Sequence, residues 1–289
     1  MIRNLLIYSL LCIFSLSAFA QRRRAFLVGI SHYDTALTGY QWNNINGVED
    51  VNLLSPVLKK QGFAITSIID EQATYQNITA KLSSFIKNTK KGDIIYLHFS
   101  THGQPVEDID GDEEDGWDEA IVPIDAYKLY KKGVYEGKCH LLDDQLNKYV
   151  KRLREKIGAT GFLYVIIDAC HAGTSSRAND ETVRGTKVGF TYKNKVFKPS
   201  VQKKSHYKIE PSPRMSHILF LEACRPDQIN TEIKVSGKRY GPLSYHIAKA
   251  LSVKPVSTNG NDFIRSIKTA IMKEGCWPNN QNLVTESSF

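Results

Sequence analysis

The chain has 289 residues, of which 42% are hydrophobic and 24% charged, and these ordinary fractions exclude wholesale disorder, a collagen and a coiled coil. The formal net charge of +8 raises the question of a nucleic-acid or anionic-membrane partner. However, nine acidic residues and no basic ones lie between Glu107 and Glu119, and the basic residues are scattered apart from a concentration at about 187–208. We therefore expect a solvated basic surface and no nucleic-acid partner.

The first 20 residues have the three parts of a secretory signal peptide. Arg3 supplies a positive charge, residues 5–16 form an apolar run, and Ala18-Phe19-Ala20 has the small residues of a cleavage site. The run is too short to span a membrane, and no second run follows it. The sequence predicts a signal peptide at 1–20, export to the periplasm or as a secreted protein, no stable membrane insertion, and a single domain at 21–289.

Removing the signal peptide leaves the cysteines at 139, 170, 224 and 276. Their spacings fit no zinc site, and so few cysteines in a chain of this length do not make a disulfide scaffold. Export would permit a disulfide, so we expect at most one pair, from which a catalytic cysteine would have to be absent.

Apolar runs and helical spacings alternate along the chain. The predicted elements are, in chain order, a strand at 25–30, a helix at 46–60, a strand at 63–69, a helix at 74–86, a strand at 94–99, a helix at 142–157, strands at 161–167 and 217–223, and helices at 242–251 and 263–272. This alternation indicates an α/β fold with a mostly parallel sheet covered on both faces. No periodicity is present between residues 173 and 216, which is typical of a functional or disordered stretch.

Two polar clusters directly follow two buried strands. Ser100, Thr101 and His102 follow the strand at 94–99, and Asp168, Ala169 and Cys170 follow the strand at 161–167. Because ligands bind beyond the carboxyl ends of parallel strands, His102 and Cys170 could form a base and a nucleophile there. The glycines that follow leave backbone N–H groups accessible, so those of Gly103 and Cys170 could bind an oxyanion.

Other interpretations of these residues compete with catalysis. Cys170 could be an ordinary buried cysteine and His102 a turn histidine, although their paired positions at strand ends argue against both. His98 and His171 are alternative bases. Strand alternation directs His98 into the layer beside the sheet, and His171 is too close to Cys170 in sequence to face it easily. With Cys170 as nucleophile, Cys139, Cys224 and Cys276 are left for any disulfide.

The motifs Ser-Thr-His-Gly at 100–103 and Asp-Ala-Cys-His-Ala-Gly at 168–173 resemble the catalytic motifs of metacaspases, within the caspase superfamily of cysteine peptidases. The acidic segment at 110–125 and Gly-Val-Glu-Asp-Val at 47–51 are similar to family segments as well. The resemblance implies a caspase-like αβα three-layer sandwich and a monomeric cysteine endopeptidase acting on proteins or peptides. The Gln-Ala-Cys-x-Gly signature of caspases is absent, because Asp168 replaces the glutamine.

That replacement bears on specificity. Metacaspases bind Arg or Lys before the cut, whereas caspases bind Asp. The resemblance implies that Asp50, Ser100 and Asp168 line the pocket for this basic residue, and a carboxylate can pair with a guanidinium in a fork geometry. Asp50 could also stabilise the N-terminus of its helix.

Calcium is the one cofactor that the resemblance suggests. The family's ligands resemble Asp118, Asp143 and Asp144, but the fourth position falls at Arg177, so Asp180 or Glu181 would have to substitute. An EF-hand count also starts in this acidic loop, but Glu113 stands where that loop needs glycine. The remaining alternative is a solvated acidic loop.

The resemblance further suggests self-cleavage. We expect a large portion at about 24–176, a flexible basic linker at about 177–215 and a small portion at about 216–289, with a cut between Arg177 and Lys208. A surface loop cut only by other proteases is the alternative. Two other functions stay open: a non-catalytic calcium-binding or adaptor protein of the same fold, and a cysteine peptidase that prefers Asn or Asp.

Overall fold

The structure is a computed structural model that describes residues 21–33, 41–111, 113–170, 182–198, 209 and 212–289. The predicted signal peptide at 1–20 lies outside the described residues. So do His171, the alternative base, and Arg177, which occupies the position of the family's fourth calcium ligand. Asp180 and Glu181, the possible substitutes for that ligand, lie outside as well.

The helices and strands alternate as the sequence predicts, with ends shifted by up to three residues. They are β1 (Arg23–Gly29), α1 (Gly47–Lys60), β2 (Phe63–Ile69), α2 (Tyr75–Lys87), β3 (Ile94–Ser100), β4 (His102–Glu107), β5 (Trp117–Val122), β6 (Leu141–Leu142), α3 (Asp143–Ile157), β7 (Phe162–Asp168), β8 (His217–Glu222), β9 (Ile233–Val235), β10 (Lys238–Tyr240), α4 (Pro242–Val253), α5 (Gly260–Glu274) and β11 (Val284–Ser287). A single-turn 3-10 helix at Asp70–Gln72 follows β2.

The main sheet has the strand order β11-β8-β7-β3-β1-β2. All neighbouring strands are parallel except β11, which runs antiparallel to β8. Alternate side chains of each strand enter two cores: Phe26 and Val28 of β1 share one with α2 and α3, and Ala25 and Leu27 share the other with α1, α4 and α5. These three layers confirm the predicted αβα sandwich.

The strand register brings the two polar clusters together. Ser100 at the end of β3 is paired with Asp168 at the end of β7, and with Gly29 of β1 on its other side. His102 and Cys170 each lie two residues beyond this paired position. The parallel sheet therefore places both at the same edge.

A second, small sheet was not predicted. β4 and β5 form an antiparallel hairpin, with His102 opposite Val122, and β6 pairs with β5. The first part of the acidic segment lies between the end of β4 and the start of β5, and its last part includes β5 itself. Because Pro105 lies within β4 and buried carboxylates lie within β5, the apolar–polar alternation that indicates a strand is weak here.

Part of the expected linker packs onto this hairpin. Residues 182–198 contain no helix or strand, but Phe190 forms an isolated bridge with Val106 and is fully buried. Glu107 accepts hydrogen bonds from the backbone N–H groups of Tyr192 and Lys193. Arg184 is also fully buried, so this portion of the segment contributes to the folded core.

The described part of the chain contains neither a disulfide nor a helix that could span a membrane. None of the cysteines at 139, 170, 224 and 276 is joined in a disulfide. Within the same residues, each helix is too short or too polar to cross a membrane.

Candidate active site

His102 is held in place by two aromatic side chains from the segment after β1. Its ring stacks on Trp42, with 4.8 Å between the ring centroids, and lies 4.9 Å from that of Tyr33. The Tyr33 hydroxyl accepts a hydrogen bond from the His102 N–H (3.1 Å) and donates one to the Val122 carbonyl (2.9 Å). Tyr33 therefore links the segment after β1 to both strands of the β4–β5 hairpin, at His102 and Val122.

The hydrogen bonding of His102 defines its tautomer. Nε2 lies 2.7 Å from the backbone oxygen of Asn43, and because a carbonyl only accepts, Nε2 carries the proton of the neutral ring. Nδ1 has no hydrogen-bond partner among the described residues, so its lone pair is available to take a proton. Burial lowers the pKa of His102 to about 3, aided by the cations of Lys128 and Arg184 and opposed by the Asn43 carbonyl. The imidazole is therefore neutral in the intact chain.

Cys170 is fully buried where the chain leaves β7. Its thiol lies 2.8 Å from the Gln228 carbonyl, to which it donates. The Cys224 thiol lies 3.8 Å from the same carbonyl oxygen, and its pKa is raised well above the ordinary value, chiefly by hydrogen bonding to Cys170 and by burial. Cys224 thus remains a protonated neighbour of Cys170.

The predicted oxyanion donors share one acceptor within the chain. The N–H of Gly103 and the N–H of Cys170 both donate to the carbonyl oxygen of Arg184, at 3.2 and 3.0 Å. Two backbone N–H groups converging on a carbonyl oxygen are the arrangement that stabilises the oxyanion of an acyl transfer. Gly185 follows this carbonyl, and a Cβ there would collide with the Cys170 backbone, so the chain passes against Cys170 itself.

The side chain of Arg184 fills the predicted specificity pocket. Nη1 lies 2.8 Å from Asp50 Oδ2 and donates to Ser100 Oγ at 2.6 Å. Nε and Nη2 donate to Glu232 Oε1 at 3.0 and 2.8 Å. All three predicted pocket residues thus surround one guanidinium, together with Glu232, which the sequence did not indicate.

Asp168 contacts the guanidinium least closely of the three carboxylates. Its Oδ1 lies 3.9 Å from Arg184 Nη1 and accepts a hydrogen bond from Asn230 Nδ2 at 2.8 Å. Its Oδ2 accepts from the N–H and hydroxyl of Ser244, in the first turn of α4, at 2.7 and 2.6 Å. Asp168 is therefore anchored by α4, while its backbone carbonyl accepts from Nη1 at 3.3 Å.

The charges of the pocket depend on one another. Burial raises the pKa of Asp50 to about 7, although the Arg184 cation and the Ser100 hydroxyl oppose this rise. Burial acts to lower the pKa of Arg184, but Asp50, Glu232 and Asp168 outweigh it and the pKa is raised. The guanidinium therefore stays charged and holds three buried carboxylates together.

The alternative base His98 is occupied elsewhere. It is fully buried, and its Nε2 donates to the hydroxyl of Ser244 at 3.0 Å, so it lies on the α4 side of the sheet as strand alternation predicts. Burial lowers its pKa to about 4. His98 supports Ser244, which in turn binds Asp168.

The acidic residues of the predicted calcium site lie at the start of α3 and on the neighbouring β5. Asp143, Asp118 and Glu119 are buried, and Asp143 Oδ1 has no hydrogen-bond partner among the described residues. Burial, followed by the charges of Glu119, Asp118 and Glu113, raises the pKa of Asp143 to about 8. A buried carboxylate oxygen of this kind suits a hard cation.

The fit to a metal is partial. Asp144 lies 3.8 Å from the ammonium of Lys148, on the more exposed side of the helix. Across the described residues, no three His, Cys, Asp or Glu side chains are arranged to hold a metal ion. The ligand set Asp118, Asp143 and Asp144 stays a prediction.

Sequence reasoning missed Glu232 and the contacts of Arg184. Glu232 lies in the connection between β8 and β9, ten residues beyond the end of β8, and belongs to neither of the two sequence motifs. Gly241 gave no signal either, yet a Cβ there would collide with the Asp168 carboxylate and the Arg184 guanidinium. Arg184 stood among the many basic residues of the linker, where nothing set it apart.

The fold and this site define a caspase-like cysteine peptidase domain. The family model described as "Caspase domain" matches residues 22–275, so the chain belongs to the caspase-domain family of cysteine peptidases. Within that family it is metacaspase-like. It is 34% identical over 174 residues to metacaspase-1B of Aspergillus fumigatus, a match that covers 56% of this chain and 38% of the relative. It is 23% identical over 289 aligned residues to metacaspase-1A of Aspergillus niger, with 84% of this chain and 65% of the relative covered.

A solved structure supports the same fold. The protein GSU0716 of Geobacter sulfurreducens superposes with a TM-score of 0.61 at 20% identity, covering 92% of this chain and 93% of that chain. The chain spans less than two thirds of the length of the fungal metacaspases it matches.

Proposed function

We propose that the protein is a cysteine endopeptidase that cleaves peptide bonds after Arg or Lys. One observation carries the proposal: Arg184 is bound as a substrate residue would be. Its guanidinium is surrounded by Asp50, Ser100 and Glu232, and its carbonyl accepts hydrogen bonds from the Gly103 and Cys170 N–H groups. An Asn or Asp side chain would bring no positive charge to these carboxylates.

The geometry supports a two-stage acyl transfer. The Cys170 thiol leaves the Gln228 carbonyl, gives its proton to Nδ1 of His102, and its sulfur bonds to the substrate carbonyl carbon. The Gly103 and Cys170 N–H groups stabilise the negative oxygen, and His102 returns the proton to the departing amine as the C–N bond breaks. Water then attacks the thioester while His102 accepts its proton. The C–S bond breaks, the carboxylic acid product leaves, and His102 returns the proton to the Cys170 sulfur.

The first bond cleaved is proposed to be Arg184–Gly185 of the chain itself. It lies within the predicted range for self-cleavage, and the backbone around it is held as an added strand. The Arg184 N–H donates to the Asn230 carbonyl at 3.0 Å, and Val183 forms a bridge with Thr231. This strand addition supports the proposal, because it holds the Arg184 carbonyl against the Gly103 and Cys170 N–H groups.

While this bond is intact, Arg184 excludes other substrates from the pocket. Hydrolysis of an added peptide should therefore begin with a lag that ends as self-cleavage proceeds. The lag should be independent of protein concentration, because the bond and the catalytic residues belong to one chain. A lag that shortens in proportion to protein concentration would instead indicate cleavage between molecules.

Calcium is proposed as an activator acting at the buried acidic residues of β5 and α3. When bound, it would neutralise the carboxylates of Asp118, Asp143 and Asp144, and Glu119 is buried beside them. β5 is paired with β4, and Val122 lies opposite His102. Neutralising these carboxylates would thus act on β4, the strand that carries His102.

Export through the signal peptide and a monomeric state are also part of the proposal. Cleavage after Ala20 would leave β1, which begins at Arg23, intact in the mature chain. A monomer is proposed as well, since Asp50, Ser100 and Glu232 of a single chain are enough to surround the Arg184 guanidinium. N-terminal sequencing of the exported protein and light scattering test these two statements.

Reporter peptides test the central function. Purified wild-type protein and Cys170→Ala should be incubated with peptides that differ only in an Arg, Lys, Asp or Asn before the reporter group, with and without calcium. We expect cleavage after Arg and Lys by the wild type alone. Cleavage after Asp or Asn would refute the pocket assignment, and no cleavage of any peptide would favour the non-catalytic adaptor.

A further inference from the structure

Glu232 is a third carboxylate in the pocket, and it contacts atoms of the guanidinium that Asp50 and Ser100 do not. Asp50 and Ser100 both contact Nη1 of Arg184. Glu232 Oε1 accepts from Nε at 3.0 Å and from Nη2 at 2.8 Å. The pocket thus has one side that binds the tip of the side chain and another that binds its Nε edge.

Lysine has no counterpart to the Nε edge. Its single ammonium can contact the Asp50 and Ser100 side, but it presents no second N–H along the stem for Glu232. We propose that Glu232 selects Arg over Lys as the residue before the cleaved bond. This inference rests on the proposed function and specifies which of the two basic residues the enzyme prefers.

The carboxylate of Glu232 is also held by hydrogen bonds that do not involve Arg184. The backbone N–H of Asn46, at the start of α1, donates to Oε1 at 2.7 Å, and the Asn46 side-chain amide donates to Oε2 at 2.5 Å. Glu232 is 5% exposed, so it holds this position away from solvent. Preorganised acceptors discriminate more strongly than mobile ones, because no reorganisation is needed on binding.

The backbone beside Glu232 aligns the substrate with it. The Glu232 N–H donates to the Thr182 carbonyl at 2.8 Å, and the Arg184 N–H donates to the Asn230 carbonyl at 3.0 Å. A substrate that makes the same backbone hydrogen bonds would therefore place one side chain against Glu232. This is the side chain of the residue before the scissile bond. The residue is thus positioned to contact substrate directly and to determine specificity.

The test compares kcat/KM for two peptides that differ only in Arg or Lys before the reporter group. Active-site concentration is measured as the difference in thiol titration between each protein and its Cys170→Ala counterpart, so that the other free cysteines and differences in self-cleavage do not distort the result. We expect the wild type to prefer Arg by about tenfold or more, since two charge-assisted hydrogen bonds distinguish the substrates. Glu232→Gln should lower kcat/KM for Arg by about tenfold or more and change that for Lys by less than about threefold.

Two further variants separate this role from a structural one. Asp50→Asn should reduce cleavage after Arg and after Lys together, because it contacts the tip of the side chain. Glu49→Gln is the matched control: this half-buried neighbour of Asp50 pairs with the exposed Lys238, and the Arg-to-Lys ratio should not change.

Three outcomes would overturn the inference. A wild type that cleaves equally after Arg and Lys refutes it, whether or not Glu232→Gln folds. A folded Glu232→Gln that keeps the wild-type ratio also refutes it, while leaving the proposed function intact. Absence of cleavage after both residues refutes the proposed function itself, and the inference with it.

Discussion

Replacing Arg184 with alanine removes the only cation that the described structure places among the carboxylates of Asp50, Asp168 and Glu232. The substitution should be made in a Cys170→Ala background, so that self-cleavage does not affect the measurement. All three carboxylates are buried, and breaking a buried ion pair by removing one partner costs about 3–5 kcal/mol. We expect Arg184→Ala to lower the free energy of unfolding by about that amount at pH 8.

The loss should depend on pH through Asp50. In the intact chain burial already raises the pKa of this carboxyl to about 7, so the folded state binds the proton more tightly than the unfolded state does. The stability from this proton is fully present below the unfolded pKa and is lost as pH rises toward 7. Without the opposing Arg184 cation the rise is larger, so the variant should lose more stability at pH 8 than at pH 5.

Urea unfolding followed by circular dichroism measures the effect at both pH values. Lys187→Ala is the matched control, because this nearby residue of the same segment is exposed and should change stability by less than about 0.5 kcal/mol. Adding Glu232→Gln to Arg184→Ala should restore part of the loss, since one uncompensated carboxylate is removed. A variant as stable as its background at pH 8, or a loss that does not change with pH, would refute the charge balance of the pocket.

Three further predictions concern catalysis, calcium and pH. Cys170→Ala and His102→Ala should each abolish cleavage of Arg reporter peptides without altering the circular dichroism spectrum. Cys276→Ala, the control, should keep most activity. Activity in Cys170→Ala or His102→Ala would refute the mechanism. Asp143→Asn should raise the calcium concentration needed for activation in a reporter titration, and a wild type unaffected by a strong chelator would exclude the requirement. Burial lowers the pKa of His140, directly before β6, to about 4, so between about pH 4 and 6.5 the unfolded chain binds a proton there that the folded chain does not. His140→Gln should therefore reduce the stability lost on acidification to pH 4 by about 3 kcal/mol, measured by urea unfolding. Equal pH profiles for the variant and the wild type would contradict this.

The main sheet and the placement of His102 and Cys170 at one edge of it could be predicted because both depend on local signals. Buried parallel strands are continuous apolar runs, such as that of β7, and the polar residues after them lie at a known edge of the sheet. His102 and Cys170 follow two such strands, so their proximity needed only the topology. The pocket residues Asp50, Ser100 and Asp168 came from the family resemblance, and the structure places all three around one guanidinium.

The remaining features depend on contacts distant in sequence. Arg184 is distinguished from other linker residues only by its contacts with Asp50 and Glu232, which lie 134 residues before it and 48 residues after it. The hairpin of β4 and β5 was missed because Pro105 and the buried carboxylates of Asp118 and Glu119 interrupt the apolar–polar alternation that indicates a strand. Functional sites are where sequence patterns are expected to fail.

The fragments of the purified wild-type chain test the account most directly. Intact-mass measurement and N-terminal sequencing should find a small portion that begins at Gly185, formed at a rate independent of protein concentration. The Cys170→Ala variant should remain whole under the same conditions. Identical fragments from both proteins, or a wild-type chain that is cut elsewhere while the Arg184–Gly185 bond stays intact, would contradict the account.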